Sequence, residues 1–166
     1  MKQGTISILL GCHSPIHSLL VVRAWHHLYN RWPNYWETGC IFLHDIGHLG
    51  KDYLNDVDQK RLHWWLGANI AYKLFGFKGY TMCAGHDAHS QYPLSKMYKA
   101  DKYSYKYAPY WWLWQNITWE PKLGMGYKTR REAIDKFRKQ VDESVDSGEY
   151  RSTHDFYLER CKGEAK

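Results

Sequence analysis

The segment Cys40-Ile41-Phe42-Leu43 runs directly into His44-Asp45 and then Ile46-Gly47. An apolar helix that ends in this way delivers an imidazole and a carboxylate into the interior together. A buried carboxylate without a partner is costly, so Asp45 must meet a cation there, either a metal ion or an Arg or Lys. Whatever else the chain does, its fold has to bring that partner to Asp45.

The punctuation of the chain fits helices throughout, so the expected fold class is all-α. Ser14-Pro15 reads as an N-cap followed by an N1 proline and opens a helix over about 15–30. Its apolar positions Ile16, Leu19, Leu20, Val22 and Trp25 follow helical spacing. A second helix is expected over about 33–46, ended near Gly47 and Gly50. A third is expected over about 56–75 with the stripe Leu62, Leu66, Ile70 and Leu74, a fourth over about 79–86, and a fifth over about 94–105 after Pro93. Pro109 precedes a Trp-rich helix. Thr129 and Glu132 have capping-box spacing and predict a helix to about 145, terminated by Asp146-Ser147-Gly148. Ser152 or Thr153 is expected to cap a short last helix. Residues 5–10 carry the only strand-like pattern and are expected to be loop.

Length bounds the organisation. A chain of 166 residues is expected to form one domain over 1–166 with a core that needs no staples. Cys12, Cys40, Cys83 and Cys161 form no C-x-x-C pair and read as reduced thiols. With no leader pattern and no run near the ~18 apolar residues of a membrane span, the expected location is cytoplasmic. The uncharged stretch 107–119 holds Trp111, Trp112, Trp114 and Trp119 and fits a buried helix or a subunit interface, which would make the chain a homo-oligomer. The net charge of +6 favours anionic partners such as nucleotides or nucleic acid.

Ten histidines are many for this length. Three His-Asp dipeptides occur, whereas ten His and ten Asp in 166 residues give about 0.6 by chance, so context has to choose among them. His154-Asp155 lies in a charged segment and reads as surface. His44-Asp45 is singled out by its apolar lead-in. His48 lies one helical turn beyond it. Other candidate ligands recur on neighbouring helices: His17 in the first turn of the first helix, His63 in the third, His86 at the end of the fourth, and Asp101 on the fifth. His13 competes with His17 for the first position. His17 is preferred because it lies inside the helix and precedes an apolar run.

The order of these residues resembles the HD superfamily of metal-dependent phosphohydrolases. The motifs that carry the resemblance are His17-Ser18-Leu19-Leu20-Val21, Leu43-His44-Asp45-Ile46-Gly47 and Lys99-Ala100-Asp101-Lys102, over about residues 13–104. The resemblance implies a single-domain HD-type helical bundle, with residues 107–166 as a C-terminal helical extension. It implies that His17, His44, Asp45 and Asp101 hold one divalent metal. His63 ahead of Gly67-Ala68, and His86 in Gly85-His86-Asp87-Ala88-His89, resemble the extra histidines of two-metal members. A second metal would then be bridged by Asp45. The cyclic-dinucleotide branch of the family has Lys where this chain has His48, and an adjacent His-His where this chain has His86-Asp87.

The implied function is cleavage of a phosphate ester or anhydride in a small nucleotide, a mono- or triphosphate or a linear or cyclic dinucleotide. Imidazole and carboxylate ligands suit Mn²⁺, Fe²⁺, Zn²⁺ or Ni²⁺, one or two per chain. Such an ion, held through Asp45, activates a water, and His48 or His89 protonates the leaving oxygen. Lys51, Arg61 and Lys102 are candidates for holding the non-reacting phosphates. Two other classes share the same residues. One is a nucleic-acid-binding or partner-binding module with a degenerate site, and the other is a di-iron oxygenase on the same bundle.

Overall fold

The computed structural model describes residues 1–51, 60–120 and 127–149. Among them are eight α-helices and no strand: α1 (Gln3–Leu10), α2 (Pro15–Tyr29), α3 (Tyr35–Leu43), α4 (His63–Phe75), α5 (Phe77–Ala84), α6 (Lys96–Ser104), α7 (Tyr110–Trp119) and α8 (Arg130–Ser147). The all-α expectation holds. No single helix among the described residues is long and apolar enough to cross a membrane. The expected start of the third helix near residue 56, the last short helix, Cys161 and His154-Asp155 lie outside the described residues.

Local chemistry sets most of the boundaries. Ser14 and Pro15 open α2 as the N-cap and N1 residues, and Asn30 closes it in the left-handed conformation. Asn34 and Glu37 form a reciprocal capping box at the start of α3, so Pro33 lies just outside the helix rather than in it. Arg31 grips both oxygens of Glu37 at 2.6 and 2.7 Å and holds its carboxyl below the usual range. Thr129 caps α8 by accepting from the Glu132 amide, but the Glu132 carboxylate accepts from the Lys128 amide, so only half of the expected box forms. Gly148, at φ 77°, ends that helix as expected.

One segment differs from expectation in kind. Residues 5–10 lie in α1, not in a loop. The polar-apolar alternation of Thr5-Ile6-Ser7-Ile8 is too short to hold an extended chain and breaks at Leu9-Leu10. The segment packs instead on α7, with Gln3 Nε2 donating to Trp119 O and Gln115 Nε2 donating to Leu10 O.

The helices surround two linked cores. The larger joins Val21 and Trp25 of α2, Ile41 of α3, Ala68 and Ala71 of α4, Cys83 of α5 and Met97 and Ala100 of α6. The smaller joins Trp112 and Leu113 of α7 to Ile134 and Val141 of α8, and packs against Ile16 and Leu20 of α2. Trp25 and Trp112 are fully buried, each contributing on the order of 2–3 kcal/mol by area. Trp111, Trp114 and Trp119 are exposed, so the Trp-rich helix is buried along one side only. Cys12, Cys40 and Cys83 are buried free thiols.

Two contacts set the position of the polar centre. α2 lies along α6, and α3 lies against α4. The α3–α4 approach is close enough to require glycine. A β-carbon on Gly67 would stand 2.3 Å from Leu43 O and 3.1 Å from His44 O, and one on Gly47 would stand 1.7 Å from His63 O. These neighbours are backbone atoms with no freedom to give way. Gly67→Ala is therefore expected to lower stability by roughly 2–3 kcal/mol, read as a reduced midpoint in urea at an unchanged slope. A wild-type midpoint would show that this helix contact is not as tight as described.

Candidate metal centre

α3 ends at Leu43. His44 and Asp45 therefore occupy the turn that follows, ahead of a short 3-10 turn over Ile46–His48, rather than the last turn of an α-helix running to 46. The turn faces α2 and α6 on one side and the start of α4 on the other. His17, His44, Asp45, His48, His86 and Asp101 are all buried.

On the α2–α6 side, four ligand atoms converge. His17 Nε2 lies 2.8 Å from Asp101 Oδ1 and 3.5 Å from Asp45 Oδ2, while His44 Nε2 lies 3.0 Å from Asp45 Oδ2 and 3.8 Å from Asp101 Oδ1. Ligands about 2.1 Å from one ion sit about 3 Å apart when adjacent and about 4 Å apart when opposite, so this set fits a single ion. The tautomers fit too. His44 Nδ1 is 2.6 Å from Ile41 O, and a carbonyl only accepts, so the proton is on Nδ1 and Nε2 offers a lone pair. Ser104 donates to Asp101 O and so presents its own oxygen to His17 Nδ1, 3.5 Å away. His17 Nε2, His44 Nε2 and Asp45 Oδ2 have no hydrogen-bond partner although all are buried. Three buried polar atoms aimed at one point without partners are what a cation site requires.

The other oxygen of Asp45 faces a second set. Asp45 Oδ1 lies 3.8 Å from His63 Nε2 and 3.7 Å from His86 Nε2, which make up this set, and His48 Nε2 approaches the same oxygen at 3.8 Å. His63 and His86 both direct Nδ1 at backbone carbonyls, of Lys60 and Cys83. Their Nε2 atoms then face each other, lone pair to lone pair, at 2.9 Å. Such a pair is stable only around a proton or a metal ion. Asp45 thus sits between two ligand sets with one oxygen toward each.

The surrounding groups are fixed by charge. Lys102 pairs with Asp101 Oδ2, the oxygen turned away from His17, and this pairing outweighs burial and raises the lysine's affinity for its proton. Lys102 was expected to hold a phosphate, and its ammonium is anchored on the ligand Asp101 instead. Lys51 and Arg61 are exposed. His89 is half-exposed, and its Nδ1 meets Asp87 Oδ1 at 2.9 Å while Asp87 Oδ2 lies 3.4 Å from His63 Nδ1. Burial raises the Asp87 carboxyl, but His63 and the His89 contacts outweigh it and keep it ionised below the usual range. Asp87 was not singled out in the sequence, nor was Ser104. Asp87 follows His86 directly, and that adjacency is the one local signal that marked it.

Without a cation the centre falls back on protons. Burial depresses His44, but Asp45 and Asp101 outweigh it and push it up to about 10. Burial and the neighbouring imidazoles push His63 down to about 4, and burial together with His13 and His63 holds His48 well below its ordinary value. Near neutrality His44 therefore holds its proton in the metal-free centre. No protein-family model, curated protein or solved structure matches this chain, so the chemistry is read from these residues themselves.

Metal binding has to displace the His44 proton. Affinity is therefore expected to rise by about tenfold per pH unit between pH 6 and 9 and to level off as pH passes the raised His44 value. Calorimetric titration with Zn²⁺ or Mn²⁺ in buffers of different ionisation enthalpy counts the proton released. A pH-independent affinity would remove His44 from the ligand set.

Proposed function

We propose that the chain is an HD-type metal-dependent phosphohydrolase that cleaves a phosphate ester or anhydride of a small nucleotide. The observation that carries this reading is the Asp45 carboxylate shared between two imidazole sets, with His17, His44 and Asp101 on one side and His63 and His86 on the other. These residues follow the order in which the HD superfamily arranges its ligands. A divalent ion held there supplies Lewis acidity, lowering the pKa of a water and polarising a phosphoryl oxygen.

The protein's own groups supply the rest. Ser104 and the carbonyls of Ile41, Lys60 and Cys83 hold the ligand imidazoles in the tautomer that presents Nε2. Lys102 keeps Asp101 ionised and oriented. His89, backed by the buried Asp87 carboxylate and half-exposed at the rim, is placed to carry a proton to the leaving oxygen. Lys60 adds positive charge close enough to depress both His13 and His48, which favours an anionic substrate at the mouth. The net charge of +6 acts in the same sense at longer range.

The test is phosphate or nucleotide release from a panel of nucleoside mono- and triphosphates and linear and cyclic dinucleotides, with Mn²⁺, Fe²⁺, Zn²⁺ or Ni²⁺. Turnover is expected with at least one pairing. Asp45→Ala is expected to lose both bound metal and at least about 10³-fold in rate, because it removes a ligand of both sets. His89→Gln is expected to keep its metal and lose about 10²-fold, the scale of a single acid-base group. No release with any metal, together with salt-sensitive binding of single-stranded nucleic acid, would favour a binding module instead.

A further inference from the structure

Two imidazoles of the centre belong to neither ligand set, and both face Asp45. His13 lies in the corner between α1 and α2, two helices that meet at 58°. Its Nδ1 is 2.7 Å from Ser7 Oγ. Ser7 donates to Glu120 Oε1 at 2.9 Å, and the same oxygen accepts the Cys12 amide at 2.7 Å. With its hydroxyl proton directed at Glu120, Ser7 accepts from His13 Nδ1–H, and the Cys12 sulfur lies 3.2 Å from the same nitrogen. This is the arrangement found at His17, His44, His63 and His86, an Nδ1 proton tied to an acceptor behind the ring. Here the support reaches back to a fully buried carboxylate at the end of α7.

His48 does not complete the His63–His86 set. The His48 and His63 rings are parallel within 9° with centroids 4.3 Å apart. Ring nitrogens direct their lone pairs within the ring plane, and stacked parallel planes do not meet at one ion. His13 and His48, by contrast, are tilted by 37° with centroids 4.0 Å apart rather than stacked in parallel. His13, His48 and Asp45 each bring a ligand atom to within 4.8 Å of the other two.

We propose that His13, His48 and Asp45 form a third divalent-cation position beside the two already described. It rests on the reading of the centre as a metal site. Two imidazoles and one carboxylate oxygen suit Zn²⁺, Ni²⁺ or Fe²⁺ better than Mg²⁺ or Ca²⁺. Three protein ligands leave at least one coordination position for water or for an oxygen of a phosphate. His13 is the less buried of the two imidazoles. With Asp45 already shared by two ions, a third depends on additional negative charge, and an added phosphate supplies it. The third position is therefore the weakest of the three and fills when inorganic phosphate is present.

The full chain is loaded with Zn²⁺ in the presence and absence of inorganic phosphate, desalted into matching buffer, and analysed for metal per chain by mass spectrometry. Wild type is expected to hold three ions with phosphate and two without. His13→Ala and the bulkier His13→Gln are each expected to hold two under both conditions. Agreement between the two variants, with unchanged circular dichroism, separates loss of the ion from loss of the fold. A wild type that stops at two with phosphate, or variants that hold three with phosphate or fewer than two in either condition, overturns the third position. A wild type that retains no metal overturns the centre itself.

Discussion

The buried carboxylate of Asp45 is the constraint on which the rest of the structure depends. Five imidazoles come within 4 Å of it, from α2, the α3 corner, the 3-10 turn, α4 and the end of α5, and His13 lies close beside them. Burial alone would drive this carboxyl to its neutral form, yet His44 and His13 outweigh burial and hold it well below its ordinary value. The close α3–α4 contact through Gly47 and Gly67, and the α2–α6 contact that sets His17 against Asp101, can both be understood as serving this convergence. A bundle with the same helices but looser packing there would leave the carboxylate unpartnered and would be penalised for it.

The imidazoles are oriented by a device that recurs. His44, His63 and His86 each direct Nδ1 at the carbonyl three residues earlier, of Ile41, Lys60 and Cys83. Two of the three stand just past a helix C-terminus, at the ends of α3 and α5. The last carbonyls of a helix have no intrahelical donor. The ligand satisfies the helix end, and the helix end fixes the ligand's tautomer. One local contact therefore serves both stability and site geometry, which explains why His44 and His86 stand at helix ends.

That locality also governs what the sequence could reveal. His44 and Asp45 stood out because an apolar run precedes them, and His17 and Asp101 because each sits beside small or apolar neighbours on a helix with clear punctuation. Their pairing across α2 and α6 follows from helix order. The support behind the ligands was not legible in the same way. Glu120 meets Cys12 and Ser7 across more than a hundred residues, from a segment whose tryptophans drew attention to packing instead. No period or spacing marks such a contact. Lys102 was visible as a cation, but only its geometry shows that it neutralises the outer oxygen of Asp101. The α1 helix was misread because six residues are too few for a helical period to show. The fixing contact is with α7, far along the chain.

Charge balance links these layers to function. Asp45 and Asp101 are the carboxylates that meet the Nε2 atoms of the imidazole sets, and Asp101 already offsets Lys102. Divalent ions bound there leave the centre with a net positive charge enclosed by protein of low dielectric constant. A field of that sign attracts and orients an anion more strongly than the same charges would in water. Asp87 extends the pattern outward: it stays ionised between His63 and His89, so the rim carries an imidazole whose inner nitrogen is held and whose outer one faces solvent. A phosphate arriving at this centre would complete the charge balance that the protein leaves open. On the proposed reading, binding, metal retention and protonation at His44 would be coupled through a single carboxylate.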